Sequence, residues 1–157
     1  MRQFILIVVV LVSCAFSSSA QSGLKIENIF NGKYSSDPKV TETLMSGQNK
    51  FLKSHKLYVF ATFKGPASTY QSKIEPLVLS DGAGAIGKNV RYKEGKLYFA
   101  LYILKPVSTK SGKMNRYLYY LNNAANKGSN ILVVYLEGSL SEAEVAGLIQ
   151  SMATNAK

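Results

Sequence analysis

From Val90 to Glu137 the chain is a succession of aromatic and β-branched runs separated by short polar links, and this block most constrains the fold. Val90 to Lys93, then Glu94-Gly95, then Leu97 to Leu104 reads as a hairpin. Leu97 to Leu104 (Leu-Tyr-Phe-Ala-Leu-Tyr-Ile-Leu) lacks clean apolar-polar alternation, which suits a central strand covered on both faces. Lys105-Pro106 ends it. Arg116 to Leu121 and Ile131 to Leu136 read as two more strands, joined by the polar loop Asn122 to Asn130. Parallel neighbours need a crossover of a dozen or more residues, so strands linked this closely must run antiparallel.

Ahead of this meander, Leu57 to Lys64 is a further strand, stopped at Gly65-Pro66. Asp37-Pro38 predicts a short helix closed by Gly47, with Val40 and Leu44 as its buried stripe. Ser72-Lys73-Ile74-Glu75 has the form of a capping box, with Pro76 in the first turn and a strand over Pro76 to Leu79 as the rival reading. Ser141 and Glu144 form a second capping box, and Leu140 can staple onto Val145. Val145, Leu148, Ile149 and Met152 make one stripe of a helix over Ser141 to Met152. Leu24, Ile26, Ile29 and Phe30 suggest a docked first element of undetermined type. The expectation is an α+β domain: an antiparallel meander of about five strands, with two or three helices packed on one face.

The first twenty residues point to export. Arg2 precedes an apolar run from Phe4 to Val12, and Ser18-Ser19-Ala20 supplies small residues before Gln21. That is the pattern of a secretory signal peptide, with cleavage after Ala20 and a single domain over 21–157. The apolar run is shorter than the roughly 20 residues a spanning helix needs. Leu11-Val12-Ser13-Cys14 offers an alternative, because it resembles a bacterial lipobox in which Cys14 would be acylated. Cleavage at Ala20 would remove the only cysteine, and with it any disulfide, thiol nucleophile or thiolate ligand. The absence of disulfides and of an Asn-X-Ser/Thr acceptor favours a bacterial envelope, periplasmic or extracellular.

The net charge of +10 falls to +9 once Arg2 leaves. The excess is nearly all Lys and is spread along the chain. A dispersed basic surface favours anionic envelope polymers, lipid headgroups or another envelope protein. Nucleic acid is not expected, since an exported chain rarely meets it and Arg, the residue suited to bidentate base contacts, is scarce.

Catalytic chemistry is thinly provided. His55 is the only histidine and sits among Lys53, Ser54 and Lys56, which reads as a solvated loop. No metal site and no cofactor are expected. Of the nine acids, Asp37, Glu75, Glu142 and Glu144 read as helix-cap or first-turn groups. Glu137 and Asp81 remain as candidate carboxylates, and a hydrolase of envelope polymers would rest on Glu137. Gly82-Ala83-Gly84-Ala85-Ile86-Gly87 spells G-x-G-x-x-G, but an extended segment follows it and no acid lies about 20 residues on. It reads as a loop.

Ten tyrosines remain. Alternation puts Tyr98 and Tyr102 on one face of their strand, and Tyr117 and Tyr119 on one face of theirs. With Arg116 beside them, these four form a possible binding surface, since tyrosine joins an apolar body to a polar tip. Filling a sheet-helix boundary is the competing role. The lack of Trp weakens the usual aromatic platform for sugars.

Arg91-Tyr92, Gly95, Leu97-Tyr98 and Tyr102, then Asn115-Arg116-Tyr117 and Tyr120, then Val133-Val134-Tyr135-Leu136-Glu137-Gly138 resemble a small family of exported Bacteroidota proteins, a domain of unknown function. The Ser-Ala-Gln junction is similar to that phylum's usage. The resemblance implies an envelope address and carries over no catalytic residue. The reading is a non-catalytic binding domain, with a hydrolase or a structural lipoprotein anchored at Cys14 as alternatives.

Overall fold

The structure is a computed structural model and describes residues 23–154. Cys14 and the Ala20-Gln21 junction lie outside them. Six strands form one antiparallel sheet in the order β1-β2-β6-β5-β4-β3. Chain order is β1 (Thr41–Ser46), α1 (Lys50–Ser54), β2 (Leu57–Pro66), α2 (Ala67–Gly82), β3 (Gly87–Lys93), β4 (Lys96–Thr109), β5 (Gly112–Asn122), β6 (Asn130–Gly138) and α3 (Glu142–Thr154). Two 3-10 turns, Lys25–Ile29 and Asn123–Asn126, complete it. The class is α+β, with six strands rather than about five.

Helix α2 carries the chain from β2 to the far edge, and the meander β3 to β6 returns to pair β6 with β2. The β3-β4 link is a two-residue turn with positive φ at Glu94 (52°) and Gly95 (75°). That combination matches the twist of a tight hairpin and suits Gly at the second position.

Helices cover both faces of the sheet, not one. On one face α2 and the 25–29 turn bury Val59, Phe63, Leu118, Tyr120, Val133 and Tyr135 together with Ile26, Ile74 and Val78. On the other, α1 and α3 bury Phe60, Tyr117, Tyr119, Val134 and Leu136 with Leu52, Val145 and Ile149. The reason is visible in β5 and β6. Tyr117 to Leu121 and Ile131 to Leu136 are apolar at every position, so both sides must be removed from water. Phe99, Leu101 and Ile103 extend this second face toward the β3 edge and are half-buried.

Two local expectations fail. The segment after Asp37-Pro38 is strand β1, held by antiparallel pairing from Thr41↔Lys64 to Ser46↔Val59. Asp37 does not cap a helix; its carboxylate accepts the Lys39 amide at 2.9 Å and the Tyr70 hydroxyl at 2.7 Å. Helix α2 begins at Ala67, so Pro76 lies inside it rather than in its first turn, and the strand over Pro76 to Leu79 does not form. The Ser141-Glu144 box does form. Glu144 accepts from the Ser141 amide at 2.8 Å, and its own amide donates to the Ser141 hydroxyl at 3.4 Å.

The glycine-rich segment is a packing device. A Cβ on Gly82 would lie 2.3 Å from the Tyr102 ring, and one on Gly87 would lie 2.7 Å from Ile103 Cδ1. A Cβ on Gly84 would meet nothing within 4 Å. Glycine is therefore required where α2 ends against the Tyr102 ring, whereas at Gly87 the flexible end of Ile103 can give way and at Gly84 there is open space. Gly82→Ala should lower stability by about 1–3 kcal/mol through overpacking, while Gly84→Ala should stay within about 0.5 kcal/mol of wild type. Urea denaturation of the two variants measures both.

Candidate functional site

The five residues expected to form a contact surface do not share one. Tyr117 (3% exposed) and Tyr119 (4%) lie inside the core under α3, and Tyr102 (3%) lies under α2 on the opposite face. Tyr117 donates its hydroxyl to the Leu140 carbonyl at 2.8 Å. Tyr119 meets Phe99 edge to face at 5.7 Å between centroids. Burial pushes the hydroxyl pKa of all three upward. Arg116 is half-buried and donates through Nε to the Lys105 carbonyl at 2.8 Å. Alternation placed Tyr117 and Tyr119 together correctly, but that face is covered. Tyr98 alone of the four tyrosines reaches a surface hollow.

The carboxylates show what sets the surface chemistry. Most hold the chain to itself. Asp81 accepts the Lys25 and Ile26 amides at 2.9 and 2.8 Å and so fastens the first turn to the end of α2. Glu42 accepts the Gly32 and Tyr34 amides at 3.0 and 3.2 Å. Glu75 accepts from Gln71 Nε2 at 3.0 Å and from the Leu97 amide at 3.4 Å, tying α2 to β4. Asp37 takes the Tyr70 hydroxyl, which pulls the Asp37 pKa down and pushes Tyr70 up to about 12. Glu137 is fully buried and accepts the Tyr135 hydroxyl at 2.7 Å. Burial raises its pKa, opposed by that hydrogen bond and by Arg116 across the β5-β6 ladder. No face of Glu137 is open to a substrate.

Among the described residues a single Lys-carboxylate ion pair forms, Lys56-Glu144. The acids are spent on amides and hydroxyls, and the lysines point outward. Charge-assisted hydrogen bonds of the first kind are the stronger use of a carboxylate.

His55 closes α1 rather than lying in a free loop. Its ring rests on Phe51 at 4.4 Å between centroids, and Nδ1 is 2.9 Å from the Phe51 carbonyl and 3.0 Å from Ser54 Oγ. A carbonyl can only accept, so Nδ1 carries the proton, and Ser54 itself donates to the same carbonyl at 2.9 Å. Ser54 cannot pass a proton to that nitrogen, so the pair is not a nucleophile with its base.

The concave surface lies along α2. One hollow of about 530 Å³ is lined by Ser68, Gln71, Ser72, Glu75, Pro76 and Lys96, among others. A second, of about 310 Å³, is lined by Gln71, Lys93, Glu94, Lys96, Tyr98, Asn122 and Lys127, among others. Gln71 and Lys96 line both, so the two hollows adjoin and together make the groove between α2 and the β3-β4 hairpin. Three lysines face two carboxylates in it. The Gln71-Glu75 hydrogen bond and the Glu75 contact to β4 fix the middle of the groove. Its residues come from α2, the hairpin and the loop after β5, a juxtaposition that no local sequence pattern marks. Among the described residues no three His, Cys, Asp or Glu side chains gather to hold a metal, and no helix is long and apolar enough to cross a membrane.

Stability should report the Glu144 cap. Its hydrogen bonds with Lys56 and Ser141 hold its pKa near about 2, below the ordinary 4.5. A lowered folded-state pKa gives stability that is present above the ordinary value and is lost as pH falls toward the folded one. Urea midpoints from pH 6 to pH 2 should therefore fall less steeply below pH 4.5 in Glu144→Gln than in wild type, from a lower starting point at pH 6.

Residues 13–149 match the model of a family of unknown function, DUF6108, and the chain belongs to that family. Neither the curated proteins nor the solved structures contain a match.

Proposed function

We propose that this member of DUF6108 is a non-catalytic binding domain for an anionic partner, working outside the cytoplasm after loss of residues 1–20. The observation that carries the reading is the division of charge. Six of the nine acids are hydrogen-bonded to amides or hydroxyls of the chain itself, while the described lysines are exposed and outnumber the acids in the field around it. With net charge +10 over the chain, that field is positive and attracts anionic polymers, headgroups or acidic proteins. The groove along α2 supplies a place where the attraction becomes a site, with Lys96 and Lys127 at its wall. Export rests on the charged start, apolar run and small-residue end of residues 1–20.

A hydrolase built on Glu137 is disfavoured by that residue's complete burial. A carboxylate that must reach a substrate needs an open face.

The test compares two charge reversals of equal size. Lys96→Glu/Lys127→Glu alters the groove, and Lys50→Glu/Lys53→Glu alters exposed positions on α1. Against immobilised polyanions, the groove variant should lose about tenfold in affinity, equivalent to about 1.4 kcal/mol, and the α1 variant less than about twofold. Binding should also weaken as salt rises, since exposed charges are screened over about 10 Å at 0.1 M. Equal losses from both variants would reduce the effect to net charge, and no binding by wild type would remove the proposal.

A further inference from the structure

We infer that the groove along α2 takes an extended acidic polysaccharide, a chain of hydroxyl-rich sugar rings with spaced carboxylates. The inference rests on the proposed anion-binding role and names the ligand class for the same site.

The first argument is charge spacing. Lys93, Lys96 and Lys127 line the groove together with Glu75 and Glu94, so it mixes both signs of charge. A densely charged polymer such as polyphosphate would place anionic groups against those carboxylates at a cost, since like charges in contact disfavour binding. A polymer with one charge per ring or fewer sets its carboxylates on the lysines and its hydroxyls on Glu75 and Glu94, which accept hydrogen bonds from O–H groups.

The second is the inventory of neutral groups. Gln71, Ser68 and Ser72 lie along the same groove and both donate and accept. A sugar hydroxyl both donates and accepts, so each of these side chains can pair with it; a polypeptide backbone can do the same, and the polyglutamate comparison below separates the two. Gln71 is already held by its bond to Glu75 at 3.0 Å, and Glu75 by the Leu97 amide. Little side-chain freedom is left to lose at these two on binding, which favours affinity.

The third is Tyr98, half-buried in the groove wall between Lys96 and the hairpin strand. Its ring offers an apolar face with a polar tip, the match for a sugar ring whose C–H bonds line one side and whose hydroxyls line its rim. Two adjoining hollows of about 530 and 310 Å³ leave room for more than one ring.

The experiment is isothermal titration at about 0.1 M salt, where exposed charges are largely screened. The probes are hexasaccharides of alginate, polygalacturonate and chondroitin, with polyglutamate, polyphosphate and phosphatidylglycerol vesicles as anionic comparisons. At least one acidic hexasaccharide should bind about tenfold or more tightly than any comparison of equal charge. Tyr98→Ala and Gln71→Ala should each cut that binding at least fivefold while leaving polyphosphate binding unchanged, with a cooperative urea transition showing that each variant is still folded. Lys96→Glu/Lys127→Glu should weaken every anion. If the comparisons bind as well as all three hexasaccharides, or if Tyr98→Ala and Gln71→Ala affect all anions alike, the polysaccharide inference fails and the general anion-binding role stands. If no anion binds, the general role fails with it.

Discussion

The fold depends on removing both faces of β2, β6 and β5 from water. A lone antiparallel sheet can leave one face wet, but these strands cannot. Val133, Val134, Tyr135 and Leu136 succeed one another in β6, all fully or nearly fully buried. Each large apolar side chain buried this way contributes about 1.5–3 kcal/mol relative to exposure. The crossover helix α2 answers on one side, and α1 with α3 on the other. This two-sided demand also explains the tyrosines. Tyr120 and Tyr135 face α2 while Tyr117 and Tyr119 face α3, so their rings serve as core; Tyr117 and Tyr135 place their hydroxyls on the Leu140 carbonyl and on Glu137, while the Tyr120 hydroxyl is buried without a hydrogen-bond partner among the described residues.

Once the core is closed in this way, loops and helix ends have to be fastened to it, and the carboxylates do that. Asp81 holds the first turn, Glu42 the loop before β1, Glu75 the join of α2 to β4, and Glu144 the start of α3. Each uses a charge to satisfy backbone donors that would otherwise be unpaired. The result for function is indirect but strong. Most of the acids are engaged by the chain's own donors, and the exposed lysines outnumber them. The groove mixes both signs, because Glu75 and Glu94 line it together with Lys96 and Lys127.

The meander, the hairpin turn at Glu94-Gly95, the last helix and its capping box were legible in the sequence, because each is written in local spacing. Strand β1 was not. Asp37-Pro38 and Gly47 have the form of helix boundaries, yet pairing with β2 decides the matter, and that contact is not local. The start of α2 was missed because Ser72 and Glu75 mimic a cap, while Glu75 is in fact turned toward the Leu97 amide. Alternation told which tyrosines share a face. It did not tell that the face is covered, since the cover comes from α3 at the chain's far end. The groove was illegible for the same reason: Gln71, Lys96, Tyr98 and Lys127 meet only after α2 crosses the sheet.

The proposed meeting place of this protein with its partner is the groove along α2, set in a positive exterior. Amide chemical-shift mapping during titration with an alginate hexasaccharide tests it most directly. Saturable shifts should concentrate at Gln71, Ser72, Lys96, Tyr98 and Lys127 and be reversed by added salt. Shifts centred instead on Phe99, Leu101 and Ile103 of the opposite face, or spread evenly over all lysine-bearing segments, would contradict it.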